Sequence, residues 1–360
     1  LWGVMAGVLS KVDLLREEGR LFEVSPRLDF SAFSLDVRID RLFRHHPTKW
    51  KDLEERRRQA HFLDQDPLAQ ISSEEMIERY LQEVIFDEEG IVILPRSFYL
   101  CTTIEKISKP NIMVAGEICS RSSWARLGLR LQSADDNLTL HGRTFEGYPL
   151  CVISSSGAAF KLRKGDSPGQ LLLDYDGKIP SFEREMYELV QSGDLELERD
   201  GEKLGTKDLR YDSGVELTMD PLIWVYQQGV LEKGRPMEEC FQQINLRDFP
   251  EGYYLQAGSF FISASAEAVS IPNNFVGHVS EINHSNPCLA IFSTHANAPY
   301  IGPKNVFQGK VTFENMMLCH GVLVAGMSQS RLNMFRLNTP LEQVEESRYK
   351  GQDQATLSRV

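Results

Sequence analysis

Hydroxyl and guanidinium side chains crowd one short segment of the chain, Ser120–Leu129, which reads SRSSWARLGL. The segment follows an apolar run, Ile112–Ile118, that predicts a strand, so we expect it at a strand-to-helix junction. Serine hydroxyls and the backbone N–H groups of a helix start donate hydrogen bonds to phosphate oxygens. Arg121 and Arg126 would add charge-assisted bonds, which are often bidentate. The pattern indicates a phosphate site, and a serine-capped helix with solvated arginines is the alternative explanation.

A second segment, Gly309–Asn315, places a single acid, Glu314, in an apolar run with the alternation of a strand. An apolar pocket can raise the pKa of a carboxyl group toward neutrality. Such a group can take a proton from water and return it to a leaving group. The segment therefore indicates a general acid–base residue. The alternative is an edge-strand glutamate that points to solvent.

Both segments resemble motifs of the dCTP deaminase family, which belongs to the dUTPase superfamily. Ser120–Leu129 is similar to the family motif R-S-S-x-A-R-L-G-L, which binds the triphosphate of a nucleotide in a neighbouring subunit. The resemblance implies that Arg121, Ser123 and Arg126 hold phosphate. It also implies that Ser122 positions the attacking water or the leaving amine, so we expect Ser122 and Arg126 to act in catalysis.

Other parts of the chain carry the same resemblance. Gly309–Asn315 is similar to the family strand G-x-I-x-L-E, whose Glu is the general base, and this implies that role for Glu314. Phe30–Ile39 and Lys164–Leu171 are similar to the family segments Q-P-x-S-x-D-L-R-L and P-G-x-x-x-x-Q-L.

The C-terminal segment Arg348–Arg359 is similar to the family tail K-Y-Q-G-Q-x-G-P-T-x-S-R, which closes over the nucleotide. Gln354 and Ala355 replace the Gly-Pro pair, so the turn can differ. On composition alone, this segment would be a frayed polar tail. The tail residues that match the family motif are Tyr349, Gln352, Ser358 and Arg359.

The segment Ser293–Tyr300 occupies the place of a family loop, T-A-H-x-I-D-P-G-W, that holds the deoxyribose and frames the cytosine. The resemblance implies nucleotide contacts from His295 and Asn297. The Asp of the family loop is absent here, which places sugar recognition in doubt. A structural loop histidine is the alternative explanation for His295.

The reaction that this resemblance implies is hydrolytic deamination, dCTP + H₂O → dUTP + NH₃. Deaminases that use zinc carry H-x-E and P-C-x-x-C. Here Pro287-Cys288 is followed by Leu289-Ala290-Ile291, so the second cysteine of the motif is missing, and no H-x-E occurs. We therefore expect no zinc or other protein-bound metal, and Mg²⁺ only as the counter-ion of the triphosphate.

The elements that must position these residues repeat along the chain. A shift of 162 residues brings Phe98 onto Phe260 and Glu105 onto Glu267. Each half reads as a short helix followed by many short strands broken by Gly, Pro and Asn. We therefore predict a mainly β protein of two tandem dUTPase-like barrel or jelly-roll domains, 1–176 and 177–360, with a helical insertion at about 48–83. A chance match between two strand-rich segments is the alternative.

The repeat is not symmetric in its chemistry. The same shift places Glu314 on Val152, and it places Arg121–Arg126 on residues 283–288, which contain no arginine. The first half lacks the acid of the second half, and the second half lacks the arginines of the first. We therefore expect one composite site, in which the first half provides the phosphate-binding motif Ser120–Leu129 and the second half provides the base and the C-terminal tail. Decay of one copy after duplication would also produce this asymmetry.

Bulk composition limits the partners. The 360 residues carry a net charge of −12, which argues against a surface for polymeric nucleic acid. No apolar run reaches the roughly 18 residues of a membrane span, and the first residues lack a basic region typical of a signal peptide. We expect a cytoplasmic homo-oligomer that binds the nucleotide dCTP and no membrane.

Two other functions remain open from the sequence. Asp135 and Asp136 lie where dUTPases orient their attacking water, which allows a dUTPase or a bifunctional enzyme that continues to dUMP. Loss of parts from both halves also allows a catalytically silent regulator that binds nucleotides.

Overall fold

The structure of the protein is a computed structural model, and strands dominate it. It describes residues 7–10, 13, 14, 16, 23–25, 34–45, 73–134, 136–175, 183–209, 214–281, 292–295, 300–340, 351–355 and 357. Helices in these ranges are short. The predicted mainly β architecture is confirmed.

The first half of the chain contains strands β1–β14. They are β1 (Gly7–Val8), β2 (Glu23–Ser25), β3 (Leu35–Val37), β4 (Ile39–His45), β5 (Leu81–Val84), β6 (Ile91–Ile93), β7 (Phe98–Thr103), β8 (Lys106–Lys109), β9 (Val114–Ser120), β10 (Leu129–Ser133), β11 (Phe145–Gly147), β12 (Leu150–Ser155), β13 (Ala159–Leu162) and β14 (Gly169–Tyr175). One sheet has the order β1-β14-β9-β10-β12-β7-β4-β5, with β3 paired to β14. A smaller sheet has the order β11-β8-β2.

The second half contains strands β15–β28. They are β15 (Glu196–Arg199), β16 (Glu202–Lys203), β17 (Val215–Thr218), β18 (Leu222–Tyr226), β19 (Val230–Leu231), β20 (Phe241–Asn245), β21 (Tyr253–Leu255), β22 (Phe260–Ser270), β23 (Phe275–Glu281), β24 (Phe292–His295), β25 (Tyr300–Ile301), β26 (Gln308–Met317), β27 (Gly321–Leu323) and β28 (Ser328–Arg336). The largest sheet has the order β16-β15-β22-β18-β20, and β26 joins β22 to β24. Two further sheets are β17-β28-β23-β25 and β21-β27.

Helices play a minor part in the described ranges. They are α1 (Ser73–Tyr80), α2 (Ser122–Ala125), α3 (Asp136–Thr139) and α4 (Glu183–Ser192), with 3₁₀ turns at Thr206–Asp208, Glu238–Cys240 and Leu246–Asp248. The helix expected before the second half is α4, and Gly193 ends it with a positive φ of 79°. No helix in the described part of the chain is long and apolar enough to cross a membrane.

Two predicted boundaries lie outside the described residues. The predicted helical insertion at 48–83 is described only from residue 73. Helix α1 ends at Tyr80, and residues 81–83 belong to strand β5, so the predicted helical end at 83 is wrong. The predicted domain junction at 176/177 falls within residues 176–182, which are not described. The start of the insertion and the domain junction stay predictions.

Strand pairing supports the predicted repeat. Phe98 pairs with Ser154 between β7 and β12. Phe260 pairs with Met316 between β22 and β26, and each of these residues lies 162 positions after its counterpart. Because a one-residue slip would exchange the two faces of a strand, this agreement aligns the two halves side chain by side chain.

A buried carboxylate repeats at the same place in each half. Glu105 accepts hydrogen bonds from the backbone N–H and the Nε of Arg38, at 2.8 and 2.7 Å. Its counterpart Glu267 accepts bonds from the backbone N–H and hydroxyl of Thr218, at 2.9 and 2.7 Å, and is paired with Arg199. Both glutamates are 0% exposed. A buried charge is stable only when it is paired in this way.

The two halves share a hydrophobic core. β13 of the first half pairs in parallel with β19 of the second, where Phe160 lies opposite Leu231. One continuous core cluster contains residues of both halves, including Trp124 and Ile262. Elsewhere, the buried hydroxyl of Tyr300 donates to a carboxylate oxygen of Glu117 at 2.8 Å.

Candidate active site at the junction of the two halves

Glu314 lies on the face of β26 that is turned toward the first half. It pairs with Ile262 of β22 on one side, and directly opposed residues share a face of the sheet. Ile262 belongs to the core cluster that contains residues of both halves. The neighbour of Glu314 in sequence, Phe313, points the other way, into a core of the second half alone. The carboxyl is only 3% exposed, so the predicted alternative of a solvent-facing glutamate is wrong.

The phosphate motif begins where β9 ends, two residues later than the predicted strand Ile112–Ile118. Arg121 precedes α2 in an extended conformation, and its backbone N–H donates to the Pro168 carbonyl at 2.8 Å. Its Nη1 donates to Asp36 Oδ2 at 2.5 Å. Arg121 is therefore held at the surface by a carboxylate, in a position from which a phosphate could compete for it.

The remaining motif residues are more enclosed. Ser122 and Ser123 are half-buried, and Arg126 is only 3% exposed. The alternative of solvated arginines is therefore wrong for Arg126. Gly128 ends the turn with a φ of 85°, and a Cβ at this position would lie 3.8 Å from the Phe260 ring of the second half. The motif thus lies in ordinary van der Waals contact range of β22.

The same core connects the motif to the strand that carries Glu314. Trp124 and Leu127 of the motif lie in the cluster that also contains Phe260 and Ile262 of β22. Since Ile262 and Glu314 share a face, the carboxyl and the motif face the same junction. The sequence predicts phosphate binding by the first half and a base from the second, and these roles stay predictions.

One matched residue of the tail also lies on this face. Gln352 is 5% exposed, and its carbonyl accepts from the Lys310 N–H at 2.9 Å. Its Nε2 donates to Thr312 Oγ1 at 2.9 Å. Thr312 precedes Glu314 by two residues and so shares its face. Gly309 permits the close approach, because a Cβ there would lie 2.6 Å from the Gln352 carbonyl oxygen.

Some of the residues predicted to have a functional role are described only in their backbone, and others lie outside the described ranges. The backbone of His295 pairs with Glu314, opposite the pair with Ile262. The backbone of Asp136 begins α3. The predicted residues that lie outside the described ranges are Asp135, Asn297, Tyr349, Ser358 and Arg359.

The first half has no acid at the position equivalent to Glu314. Val152 pairs with Leu100 of β7 and Gln132 of β10. Glu314 likewise pairs with Ile262 of β22 and with His295 of β24, and Ile262 lies 162 positions after Leu100. The register therefore confirms that valine replaces the acid. The second-half counterpart of the phosphate motif, residues 283–288, lies outside the described ranges.

Sequence reasoning missed several contacts around the candidate site. Lys310 Nζ lies 2.5 Å from Asp220 Oδ2, and both side chains are largely buried. The indole N–H of Trp224 donates to the Ala355 carbonyl of the tail at 3.1 Å. The alternation of β26 would have placed Lys310 on the face of Glu314, but no local signal identifies its partner. Within the described ranges, no group of three or more His, Cys, Asp or Glu could hold a metal ion.

Comparisons with known proteins agree with the motifs. The family model described as dCTP deaminase-like matches residues 13–174. The curated protein "dCTP deaminase, dUMP-forming" of Parafrankia sp. (strain EAN1pec) is 31% identical over 160 residues, 41% of this chain and 76% of that protein. The protein of the same name from Corynebacterium diphtheriae is 27% identical over 185 residues, 48% of this chain and 97% of that protein.

A solved structure resembles both halves together. The crystal structure of 2′-deoxycytidine 5′-triphosphate deaminase from Agrobacterium tumefaciens has a TM-score of 0.71 at 17% identity, and the match covers 93% of this chain and 100% of that chain. At this identity the likeness shows the fold. The Parafrankia relative is 31% identical and is covered over 76% of its length, and the family model matches residues 13–174. These two matches show that the chain belongs to the dCTP deaminase family.

Proposed function

We propose that the protein hydrolyses dCTP to dUTP and ammonia at one composite site between its halves. The observation that carries the proposal is the face on which Glu314 lies. Its carboxyl is buried on the side of β26 that meets the half with the Ser120–Leu129 motif. A nucleotide at this junction would have its base beside an acid and its phosphates beside arginines.

Glu314 acts as both base and acid. Its carboxylate takes a proton from water as the water oxygen bonds to C4 of cytosine. The C4=N3 double bond opens in the same step, and the carboxyl passes that proton to N3. The carboxylate then takes the proton of the new C4 hydroxyl and gives it to the exocyclic amine, so that the C4–N bond breaks, ammonia leaves and the C4 carbonyl forms. The carboxylate is regenerated, and no atom changes its oxidation state. Ser122 positions the water or the amine, and Arg126 lies beside it in the motif.

The other predicted residues bind the substrate. Arg121 and Ser123 donate to phosphate oxygens, where charge-assisted bonds are strongest. His295 and Asn297 line the sugar and base. The tail adds Gln352, together with Tyr349 and Arg359, and covers the nucleotide. Mg²⁺ enters with the triphosphate and is bound through water, and the chemistry requires no zinc.

The first test is Glu314→Gln, because it removes the base and preserves the shape of the side chain. We expect kcat for ammonia release from dCTP to fall about a thousandfold, with dCTP affinity within about threefold of wild type. Val152→Thr is the matched control, since position 152 has the same register in the other half, and its rate should stay unchanged. A Glu314→Gln protein that kept its rate would end the proposal.

A second candidate function is continued hydrolysis to dUMP and pyrophosphate. The two curated relatives described above are named "dCTP deaminase, dUMP-forming", which favours it. Quantifying dUTP, dUMP and ammonia from dCTP, and dUMP from added dUTP, separates the two reactions. Ammonia with stoichiometric dUTP supports deamination alone, whereas dUMP as product supports the second candidate. Tight dCTP binding without ammonia would instead select the silent regulator.

A further inference from the structure

Three contacts fix the C-terminal segment at the edge of β26 and against Trp224 of β18. The backbone of Gln352 extends the sheet, because Lys310 N–H donates to its carbonyl at 2.9 Å and Gly351 N–H donates to the Gln308 carbonyl. The Gln352 amide donates to Thr312 Oγ1 at 2.9 Å. The third contact is the Trp224 indole N–H, which donates to the Ala355 carbonyl at 3.1 Å.

Trp224 stands in one row with the proposed base. It pairs with Ile262 of β22, and Ile262 pairs with Glu314 of β26. The three side chains therefore share one face of the sheet. Because neighbouring strands lie about 4.8 Å apart, the backbones of Trp224 and Glu314 are separated by roughly 10 Å. Trp224 therefore holds the tail two strands away from Glu314, on the same face of the sheet.

The tail also packs into the core that the two halves share. Ala355 and Leu357 are 2% and 7% exposed, and they belong to the same core cluster as Trp124 of the phosphate motif. The tail thus lies against the strand of Glu314 at Gln352 and in the shared core at Ala355 and Leu357. Loss of one of the three contacts would allow the C-terminal segment to detach more often from β26 and from the shared core.

We propose that Trp224 is a positioning residue that anchors the tail through the Ala355 carbonyl and thereby sets the affinity for the nucleotide. The proposal rests on the proposed function, because the tail residues are there assigned to substrate binding. An anchored tail loses little conformational entropy when the nucleotide binds, whereas a loose tail must be ordered each time. Trp224 therefore acts on binding and leaves the chemical step to Glu314.

The test replaces the indole by a ring that cannot donate, Trp224→Phe, and follows tail and substrate separately. We expect amide hydrogen exchange at Gly351 to rise about fivefold, because the tail detaches more often when one bond is lost. We expect the Kd and KM for dCTP to rise about fivefold as well, with kcat within about twofold of wild type.

Tyr226→Phe is the matched control. Tyr226 lies two residues along the same strand and face, and its hydroxyl bonds to Gly229 and Ala159 rather than to the tail. The control should change neither tail exchange nor dCTP affinity. A second variant, Gly309→Ala, places a Cβ against Gln352 and should raise exchange at Gly351 independently of Trp224.

The outcomes separate this inference from the proposed function. Unchanged tail exchange in Trp224→Phe overturns the anchor, even if dCTP is deaminated as proposed. Raised exchange with unchanged dCTP affinity overturns the link between anchor and binding. Wild-type protein that releases no ammonia from dCTP contradicts the proposed function, and the exchange measurement still decides whether Trp224 anchors the tail.

Discussion

The two halves of this protein have equivalent strands and different chemistry. At one register position the first half has Val152 and the second has Glu314. The interior behind these strands also differs. In the first half Cys101 lies opposite Cys151, and burial raises the pKa of the Cys101 thiol well above its ordinary value.

In the second half, the counterpart of Cys101 is Ser263, and its hydroxyl accepts from Asn315 Nδ2 at 2.8 Å. Asn315 follows Glu314 in sequence and points to the opposite face of β26. Satisfied buried polar groups favour one arrangement of the strands around them. The half with the proposed base therefore has a hydrogen-bonded interior behind it, whereas the other half has an apolar one.

Other positions are the same in both halves, and Glu105 and Glu267 are the clearest case. The comparison teaches that the fold uses the buried carboxylates twice, whereas the proposed site would use each functional group once. Substitutions at positions that are the same in both halves, such as Glu105 and Glu267, should lower stability in either half. Substitutions at positions that differ, such as Val152 and Glu314, should affect activity in one half only.

The largest expected effect tests the shared positions. Glu105→Gln and Glu267→Gln should each lower the free energy of unfolding by about 2 kcal/mol, because each removes the charge of a fully buried carboxylate that accepts hydrogen bonds and pairs with a partly exposed arginine. The loss should be greater at Glu267, which has the additional hydroxyl partner from Thr218. Chemical denaturation measures both values.

The control for this pair is Glu196→Gln. Glu196 forms an exposed ion pair with Lys203, and exposed pairs contribute little, so its loss should stay below about 0.5 kcal/mol. A stable Glu105→Gln protein beside an unstable Glu267→Gln protein would break the comparison, since the two carboxylates would then not be equivalent.

An intermediate effect tests the positions that differ. Arg121→Ala should raise the Kd for dCTP by roughly tenfold, because one charge-assisted bond to phosphate is lost. The Kd for deoxycytidine, which has no phosphate, should stay unchanged. Equilibrium dialysis measures both, and Arg143→Ala, an exposed cation in the same half, controls for a general change in charge. Equal losses for nucleoside and nucleotide would remove Arg121 from phosphate binding.

The smallest effect concerns the contact between halves. The counterpart of Tyr300 in the first half is Leu138, so only the second half provides the hydroxyl that binds Glu117. Burial, and next the charge of Glu117, raise the pKa of Tyr300 well above its ordinary value of 10.0. Tyr300→Phe should cost about 1 kcal/mol at neutral pH.

The free energy of unfolding that Tyr300→Phe loses should decrease as the pH rises. The folded state keeps the Tyr300 proton, whereas the unfolded chain releases it near pH 10, so the stability from this group is complete below pH 10 and falls above it. The difference between wild type and Tyr300→Phe should therefore shrink above pH 10 and reverse its sign near pH 11, because the change approaches about 1.4 kcal/mol per pH unit. Denaturation at pH 8, 10 and 11 measures it, and a difference independent of pH would contradict the assignment.

Much of the fold and part of the site could be predicted because their signals are local. Alternation along Gly309–Asn315 predicted a strand, and the register of β26 bears out the loss of the acid at Val152. The motif Ser120–Leu129 predicted its own junction of strand and helix to within two residues. Such signals survive in a single sequence because each depends on residues a few positions apart.

The sequence by itself determined a strand-rich repeat, a phosphate-type motif in one half and a lone acid in the other. Only the tertiary structure decided that Asp36 holds Arg121, that Asp220 lies against Lys310, and that Trp224 holds the tail. These partners lie 85, 90 and 131 positions apart along the chain. No local pattern encodes such pairs, because a hydrogen bond depends on distance in space, and the packing of the two halves sets that distance.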